Sequence, residues 1–304
     1  MASVGVALLI GGCGGKPARR MQTVPVTSRS DGEVSVRTIT YRSSFDGSRV
    51  AALVAIPRAV PSRGCVIWQF GLGSKKEDSS VTWQGLASIG LTTVSIDFRY
   101  HGARASPTDS EQLQRNPTLL PKLIRGTVGD FHSLIDYLEK QAYCFRNVAF
   151  GGVSLGGAIG TIVAATDKRV KAAVLVVTPG SWRGVHAADA WTRSHPGVIA
   201  EFYKLMAPLD PYRFIGRISP RPVLILNGIN DQTVLLRNAR VLQAAARQPK
   251  TIIDYKGAHN PFDGPDAASS AEAVMSFLLR NIVEPTYGIT AKADGTFLAA
   301  MGGS

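Results

Sequence analysis

Apolar runs alternate with segments of helical spacing along most of the chain. The runs are nearly continuous in apolar residues, which is typical of strands buried on both faces of a parallel sheet. The predicted strands are Cys65–Phe70, Thr92–Phe98, Asn147–Val153, Val170–Thr178, Pro222–Asn227 and Thr251–Tyr255. The predicted helices are Val128–Lys140, Leu155–Ala165, Leu235–Arg247 and Ala267–Leu279. This order predicts a doubly wound α/β domain with a mostly parallel sheet.

Two further predicted strands precede this alternation. Val34–Arg42 and Arg49–Pro57 flank the turn signal Asp46-Gly47, which predicts an antiparallel hairpin at the start of the domain. We place the domain at residues 34–285, after a leader and linker at residues 1–33. Residues 286–304 form a small, polar tail that is Gly-rich at its end and is expected to be peripheral.

Two longer intervals break the rhythm, Arg99–Gly126 and Gly180–Arg217. Long insertions in compact α/β domains usually form lids or binding loops. The second interval holds an apolar set suited to a small cap: Trp182, Trp191, Phe202, Tyr203, Leu205, Met206 and Tyr212. The sequence therefore predicts a cap insertion at about residues 180–217, with helices that patch the outside of the domain as the alternative.

Composition excludes several classes of protein. The chain has 304 residues, of which 45% are hydrophobic, so it is neither disordered nor fibrous. The net charge is 34 − 22 = +12, but the basic residues are scattered and form no long basic helix. Scattered positive charge does not favour a nucleic-acid partner, and none is predicted.

The first residues resemble an export signal. The short apolar run Val4–Ile10 is followed by Gly11-Gly12-Cys13 and by the basic stretch Lys16–Arg20. The run is too short to span a bilayer, and its small-residue end is typical of a secretory signal. Small residues directly before a cysteine resemble the lipobox of bacterial lipoproteins. We expect a cell-envelope or secreted bacterial protein whose membrane contact is a lipid anchor at Cys13. The alternative is a cytoplasmic protein with a Gly-rich leader.

The most informative motif lies where a predicted strand runs into a predicted helix. Residues 152–156 read Gly-Val-Ser-Leu-Gly, the G-x-S-x-G pattern of a nucleophile turn. A sharp turn of this kind places its central residue in strained geometry, and glycines at Gly152 and Gly156 let strand and helix approach closely. The pattern predicts Ser154 at the carboxyl edge of the sheet with its hydroxyl exposed.

Two further residues complete a triad in the order Ser, acid, His. A serine hydroxyl becomes a good nucleophile when a histidine accepts its proton and an acid orients that histidine. Asp231 follows the strand Pro222–Asn227, and His259 follows the strand Thr251–Tyr255. Both lie past the carboxyl ends of parallel strands, where open α/β sheets carry their sites. The sequence predicts Ser154 as nucleophile, His259 as base and Asp231 as acid.

The other titratable candidates fit this pattern less well. The remaining histidines precede the serine, lie within a helix or lie in the predicted cap: His101, His132, His186 and His195. The competing acids lie inside a strand or after His259: Asp254, Asp263 and Asp266. No H-E-x-x-H or paired C-x-x-C spacing is present, so neither a metal nor a cofactor is predicted.

With these motifs the chain, from about Val34 to Val283, resembles the α/β-hydrolase superfamily, in its dienelactone-hydrolase-like and acyl-esterase branch. The segment at residues 97–102, Asp-Phe-Arg-Tyr-His-Gly, is similar to the family's D-x-R-G-H-G. The resemblance implies that the loop after the third strand supplies one oxyanion donor, from Gly71 or Leu72, and the amide of Leu155 the other. It also implies a structural role for His101.

This chain departs from the family pattern at two positions. Phe70 stands where the family usually has His before the oxyanion glycine, so the donor within the loop is open between Gly71 and Leu72. Dienelactone hydrolases proper use cysteine where this chain has Ser154, which speaks against lactone specificity.

The remaining cysteines are Cys65 and Cys144. In the fold that the resemblance implies, the strands near them are neighbours, and a disulfide between them is conceivable. Two inert, buried thiols are the expectation that we prefer.

These features predict a serine carboxylic-ester hydrolase that acts on small to medium acyl esters through an acyl-enzyme. The same triad also serves peptide bonds, so a prolyl-oligopeptidase-like serine peptidase is the enzymatic alternative. A non-catalytic binding module on the same fold is the other. The predicted partner is a small-molecule ester, and the sequence carries no signal for an oligomeric state.

Overall fold

The computed structural model describes residues 28–106, 116, 119–144, 147–185, 197 and 199–284. Within these ranges the strands are β1 (Ser28–Asp31), β2 (Val34–Arg42), β3 (Arg49–Pro57), β4 (Gly64–Gln69), β5 (Leu91–Ile96), β6 (Val148–Val153), β7 (Val170–Val176), β8 (Val223–Gly228) and β9 (Lys250–Tyr255). The helices are α1 (Ser80–Ser88), α2 (Leu119–Leu138), α3 (Leu155–Thr166), α4 (Ile199–Met206), α5 (Tyr212–Ile215), α6 (Leu236–Ala245) and α7 (Ala267–Leu278).

The strands form one mixed sheet in the order β1-β2-β3-β5-β4-β6-β7-β8-β9. The strands β1, β2 and β3 pair antiparallel with their neighbours, including β3 with β5. From β5 through β4 to β9, every pairing is parallel. Gly47, with a φ of 75°, supplies the left-handed residue of the turn between β2 and β3. The predicted doubly wound, mostly parallel sheet with an antiparallel hairpin at its start is confirmed.

The central strands are buried on both faces of the sheet. Every residue of β4, β5, β6 and β8 is buried, as expected for near-continuous apolar runs. Ile67 packs in the core on the face of α2 and α3, whereas its neighbours Val66 and Trp68 pack in the core on the face of α1 and α7. The alternation of side chains along each strand therefore divides the interior into two cores, one under each layer of helices.

Two helices differ from the pattern-based prediction. Helix α1 lies in a segment for which no helix was predicted, because its apolar periodicity is weak and Gly85 interrupts it. Its buried residues Trp83, Leu86 and Ala87 pack beside the sheet and stabilise it. Helix α2 begins at Leu119, well before the predicted start at Val128.

No helix of the described residues is long and apolar enough to cross a membrane.

The described part of residues 180–217 packs against the sheet domain. Phe202, Met206 and Ile215 are buried in the same core as α2 and α3. Trp182 is anchored at both ends, since its backbone N–H donates to Asp210 Oδ1 over 2.7 Å and its Nε1–H to the Leu209 carbonyl over 2.9 Å. The function of this segment as a cap stays a prediction. Three residues discussed for it, His186, Trp191 and His195, lie outside the described residues.

The structure joins Cys65 and Cys144 in a disulfide, so the preferred expectation of two free thiols is wrong. The reason lies in the sheet register, because β4 and β6 are neighbours and Cys65 pairs with Val148. The second cysteine lies in a 3₁₀ turn, Ala142–Cys144, that precedes β6 and packs beside the start of β4. The two Cα atoms are 4.9 Å apart, within the range that a disulfide bridges.

We expect the double variant Cys65→Ala/Cys144→Ala to lower the free energy of unfolding by about 2–4 kcal/mol, because the bridge restricts the unfolded chain across 79 residues. Urea denaturation of the oxidised wild type and the variant measures the difference. Wild type in reductant is the control and should unfold close to the variant. Equal midpoints for the oxidised wild type and the variant would contradict a stabilising disulfide.

Candidate active site

Ser154 occupies the sharp turn between β6 and α3. Its backbone has a φ of 56° and a ψ of −116°, a sparsely populated conformation that costs a non-glycine residue about 1–3 kcal/mol. The N–H of Ser154 donates to the carbonyl of Val176 on β7 over 2.9 Å, which holds the turn. The side chain is half-buried at the carboxyl edge of the sheet.

Gly152 and Gly156 permit the tight approach of β6, α3 and β4. A Cβ at Gly152 would overlap the backbone of Gly156. A Cβ at Gly156 would lie 2.6 Å from the carbonyl oxygen of Phe70 and 2.7 Å from that of Gln69, too close for a carbon and an oxygen. The first turn of α3 therefore packs directly on the end of β4, where the next loop begins.

The predicted oxyanion residues border Ser154 on two sides. A Cβ at Gly71 would lie 3.3 Å from Ser154 Cβ and 3.6 Å from Ser154 Oγ, so the Gly71 backbone adjoins the hydroxyl. Leu155 is buried and opens α3, where the N–H groups of the first turn lack intrahelical acceptors. Leu72 is 60% exposed. Backbone donors for a charged oxygen are thus available from the start of α3 and from the 71–72 loop.

A buried ion pair fixes the far end of that loop. Asp97, at 2% exposure, accepts the backbone N–H of Lys76 at Oδ1 and the Lys76 ammonium at Oδ2, each over 2.8 Å. It also accepts the N–H of Ala103 over 3.0 Å. Burial acts to lower the pKa of Lys76, but its bonds to Asp97 and Glu77 hold that pKa above the usual value. Sequence reasoning did not single out Lys76, because only the fold brings it beside Asp97.

The rest of the 97–102 segment is held by a separate charge network. The Arg99 guanidinium donates to both carboxylate oxygens of the fully buried Asp130 and also pairs with Asp46 in the hairpin turn. Arg104 pairs with Asp130 as well, over 2.7 Å. His101 is buried, and its Nδ1 lies 2.9 Å from the carbonyl oxygen of Arg99. The structure therefore places His101 within the support of this loop.

The structure brings His259 and Asp231 together. The Nδ1 of His259 and Oδ2 of Asp231 are 2.7 Å apart. Asp231 is 2% exposed, and its other oxygen accepts the N–H groups of Thr233 over 2.7 Å and Val234 over 2.9 Å. The His259 side chain is 31% exposed, so its far edge reaches solvent. A buried carboxylate can thereby hold the imidazole in one tautomer with Nε2 free to accept a proton.

Backbone contacts tie the loop of Asp231 to the loop of His259. The N–H of Ile229 donates to Tyr255 and that of Asn230 to Gly257, over 2.9 and 3.2 Å. The Tyr255 hydroxyl donates to the Ala258 carbonyl over 2.5 Å, directly before the histidine. Burial, with added repulsion from Asp231 and Asp266, raises the pKa of Tyr255, so the hydroxyl stays a donor.

Three of the competing candidates have other partners. Asp254 pairs with Arg240 over 2.6 Å, and Asp263 accepts the side-chain amide of Asn260 over 2.7 Å. Asp266 precedes the first turn of α7. His132 on α2 lies 3.0 Å from the hydroxyl of Thr166, and burial lowers its pKa.

No hydrogen bond joins the Ser154 hydroxyl to His259, although both residues are among those described. Their positions follow from the sheet, because β6 and β9 lie on the same side of β4 and end at the same edge. Within the described ranges, no group of three or more His, Cys, Asp or Glu residues could hold a metal ion.

Comparison with known proteins agrees with this architecture. A family model for the alpha/beta hydrolase fold matches residues 71–206. Carboxymethylenebutenolidase of Pseudomonas putida is 31% identical over 128 residues, which cover 40% of this chain and 53% of that protein. Carboxymethylenebutenolidase of Pseudomonas knackmussii matches with the same identity and coverage. The chain thus spans about half the length of the curated relatives it matches.

Solved structures resemble the chain over most of its length. An acetyl xylan esterase of Paenibacillus superposes with a TM-score of 0.72 at 18% identity, covering 87% of this chain and 90% of that one. An acetyl xylan esterase from Thermoanaerobacterium superposes with a TM-score of 0.67 at 18% identity, covering 86% of this chain and 87% of that one. The acylaminoacyl peptidase of Pyrococcus horikoshii superposes with a TM-score of 0.66 at 16% identity, covering 83% of this chain and 42% of that one. The chain has the α/β-hydrolase fold, and its resemblance to the dienelactone-hydrolase-like, acyl-esterase branch is confirmed.

We expect Gly156→Ala to destabilise the protein by about 1–3 kcal/mol, because the added methyl group must displace the backbone at the end of β4. The matched control is Gly197→Ala, since a Cβ at Gly197 has no atom within 4 Å and surface changes usually stay within about 0.5 kcal/mol. Thermal and urea unfolding of both variants give the comparison. Equal effects at the two positions would show that the contact between α3 and β4 is not tight.

Proposed function

We propose that this protein is a serine carboxylic-ester hydrolase for small to medium acyl esters. The observation that carries the proposal is the placement of Ser154 on a strained turn at the sheet edge where the His259–Asp231 pair also lies. A strained nucleophile turn beside an oriented imidazole is the arrangement that activates a serine hydroxyl.

In the proposed reaction, Ser154 Oγ attacks the ester carbonyl carbon while Nε2 of His259 accepts the hydroxyl proton. The oxyanion of the tetrahedral intermediate is stabilised by the Leu155 amide and by an amide of Gly71 or Leu72. His259 then donates its proton to the leaving alkoxide, which departs as the alcohol and leaves an acyl-serine. Water activated by the same imidazole attacks the acyl carbon, releases the acid and returns the proton to Ser154.

The role of Asp231 follows from its bonds. The carboxylate is buried and already accepts two backbone N–H groups at one oxygen, so its other oxygen stays directed at His259. It stabilises the imidazolium that forms when Ser154 is deprotonated. No step of this mechanism needs a metal or a cofactor, and we propose none.

The comparisons support an ester substrate in preference to a peptide. The structural relatives include acetyl xylan esterases and a cold-adapted esterase as well as an acylaminoacyl peptidase. This chain matches only 42% of that peptidase, which is the longer chain. Lactone hydrolysis of the kind named for the Pseudomonas relatives is not proposed, because Ser154 stands where dienelactone hydrolases proper use cysteine.

We expect Ser154→Ala to reduce ester turnover by at least about 10⁴-fold, because it removes the proposed nucleophile. We expect Asp231→Asn to reduce it by about 10⁴-fold, because an amide no longer holds His259 in the tautomer that accepts the serine proton. The substrates are p-nitrophenyl acetate, butyrate and octanoate, with peptide anilides alongside. Asp254→Asn is the matched control, since that acid pairs with Arg240, and it should retain activity.

Three results would contradict this assignment. Faster cleavage of anilides than of esters would favour the peptidase. Fluorophosphonate labelling that persists in Ser154→Ala would place the nucleophile elsewhere. A folded wild type that ignores both the probe and every substrate would favour a binding module.

We further propose that the protein is exported and held in the bacterial cell envelope by lipid on Cys13, which lies outside the described residues. The Cys65–Cys144 disulfide supports this location, since disulfides persist in oxidising compartments.

We expect Cys13→Ser to abolish palmitate labelling and to move the protein from the membrane fraction to the soluble fraction, because the acyl chains supply the anchoring surface. Cell fractionation with labelled palmitate makes the measurement, and Cys144→Ser should keep its label. Unchanged fractionation of Cys13→Ser would overturn the anchor.

A further inference from the structure

An open groove of about 720 Å³ lies between α1 and α7, on the sheet face opposite α2 and α3. Its apolar walls and floor include Trp68, Phe70, Leu86, Phe262, Val274 and Met275. The size falls within the range of small-molecule sites, which is about 300–1,000 Å³. The groove is therefore large enough for a substantial apolar group.

Small residues on both helices keep the groove open. Gly85 on α1 faces Met275 on α7, because a Cβ at Gly85 would lie 3.4 Å from the Met275 sulfur. Ala268 and Ala271 line the α7 side. Val81, at the α1 side, is 77% exposed. Apolar side chains of both helices thus line an open groove, the kind of concave site in which small molecules bind.

Two residues of the groove lining are direct chain neighbours of candidate site residues. Phe70 lines it and is followed directly by Gly71, whose backbone adjoins the Ser154 hydroxyl. On the other side, Asn260 lines it and directly follows His259. The groove lining therefore adjoins both loops of the candidate active site, the loop that begins at Gly71 and the loop that carries His259.

The chemistry of the walls selects the ligand. The floor is aromatic, with the rings of Trp68 and Phe262 6.1 Å apart. Two carboxylates, Asp78 and Asp263, lie among the lining residues. They disfavour an anionic group, while the apolar lining residues favour an uncharged alkyl or aryl group.

We propose that this α1–α7 groove binds an uncharged apolar group of the ester substrate and sets the preference for chain length. The inference rests on the proposed esterase function and adds a specificity site to it. The apolar group can come from the acyl side or from the alcohol side of the ester, and the same groove chemistry serves both.

The test fills the groove by substitution. Ala271→Trp and the more exposed Ala268→Trp add an indole on the α7 side, and Ala244→Trp is the matched control on α6, which packs on the other face of the sheet. One series of substrates varies the acyl chain, from p-nitrophenyl acetate to octanoate. The other varies the alcohol, from ethyl to octyl acetate. The measured quantity is the ratio of kcat/KM for the long ester to that for the short ester.

We expect this ratio to fall at least about tenfold in the groove variants and to stay within about twofold of wild type in Ala244→Trp, because lost apolar contacts in a pocket change selectivity by that order. A fall only in the acyl series assigns the acyl chain to the groove, and a fall only in the alcohol series assigns the alcohol. Unchanged ratios in both series, with all variants folded by circular dichroism, overturn the proposal.

Binding without turnover separates this inference from the proposed function. The uncharged dye Nile red is titrated into the Ser154→Ala background, alone and with each tryptophan variant. Weaker dye binding in Ala271→Trp or Ala268→Trp, but not in Ala244→Trp, supports the groove even if wild type hydrolyses no ester. Ester hydrolysis with unchanged ratios and unchanged dye affinity leaves the esterase intact and removes the groove.

Discussion

The packing of the first turn of α3 against the end of β4 is the contact on which the site depends. Gly156 lies so close to the carbonyls of Gln69 and Phe70 that no side chain fits between them. The same approach forces Ser154 into its strained backbone conformation and brings Gly71 beside its hydroxyl. One steric constraint thus holds Ser154, the start of α3 and the neighbouring loop in a fixed relation.

The sheet supplies the free energy that holds this strained turn. Its central strands are fully buried and apolar, with a helix layer over each face. The strain at Ser154, about 1–3 kcal/mol, is small beside the apolar burial of such a core. A rigid scaffold that over-determines a strained residue is the usual physical basis of a preorganised nucleophile.

Two buried carboxylates position the polar groups at the carboxyl edge of the sheet. Asp231 and Asp97 are both nearly inaccessible, and each accepts hydrogen bonds that compensate for its desolvation. Asp231 directs His259, whereas Asp97 fixes Lys76 and with it the loop that begins at Gly71. The two carboxylates therefore serve different ends: one orients the candidate base, and the other anchors the loop of the candidate oxyanion donors.

Local signals in the sequence predict strands β2 to β9 and the sharp turn at Ser154, because apolar runs and paired glycines act over a few residues. They also predict the candidate acid and base, because these lie just after the ends of strands. Helix α1 was missed since its stability comes from Trp83 and Leu86 packing on the sheet, which no local pattern reports. The contacts of Asp231 with His259, Cys65 with Cys144 and Lys76 with Asp97 are visible only in the folded structure. These partners are far apart along the chain, and their contacts follow from strand order and register.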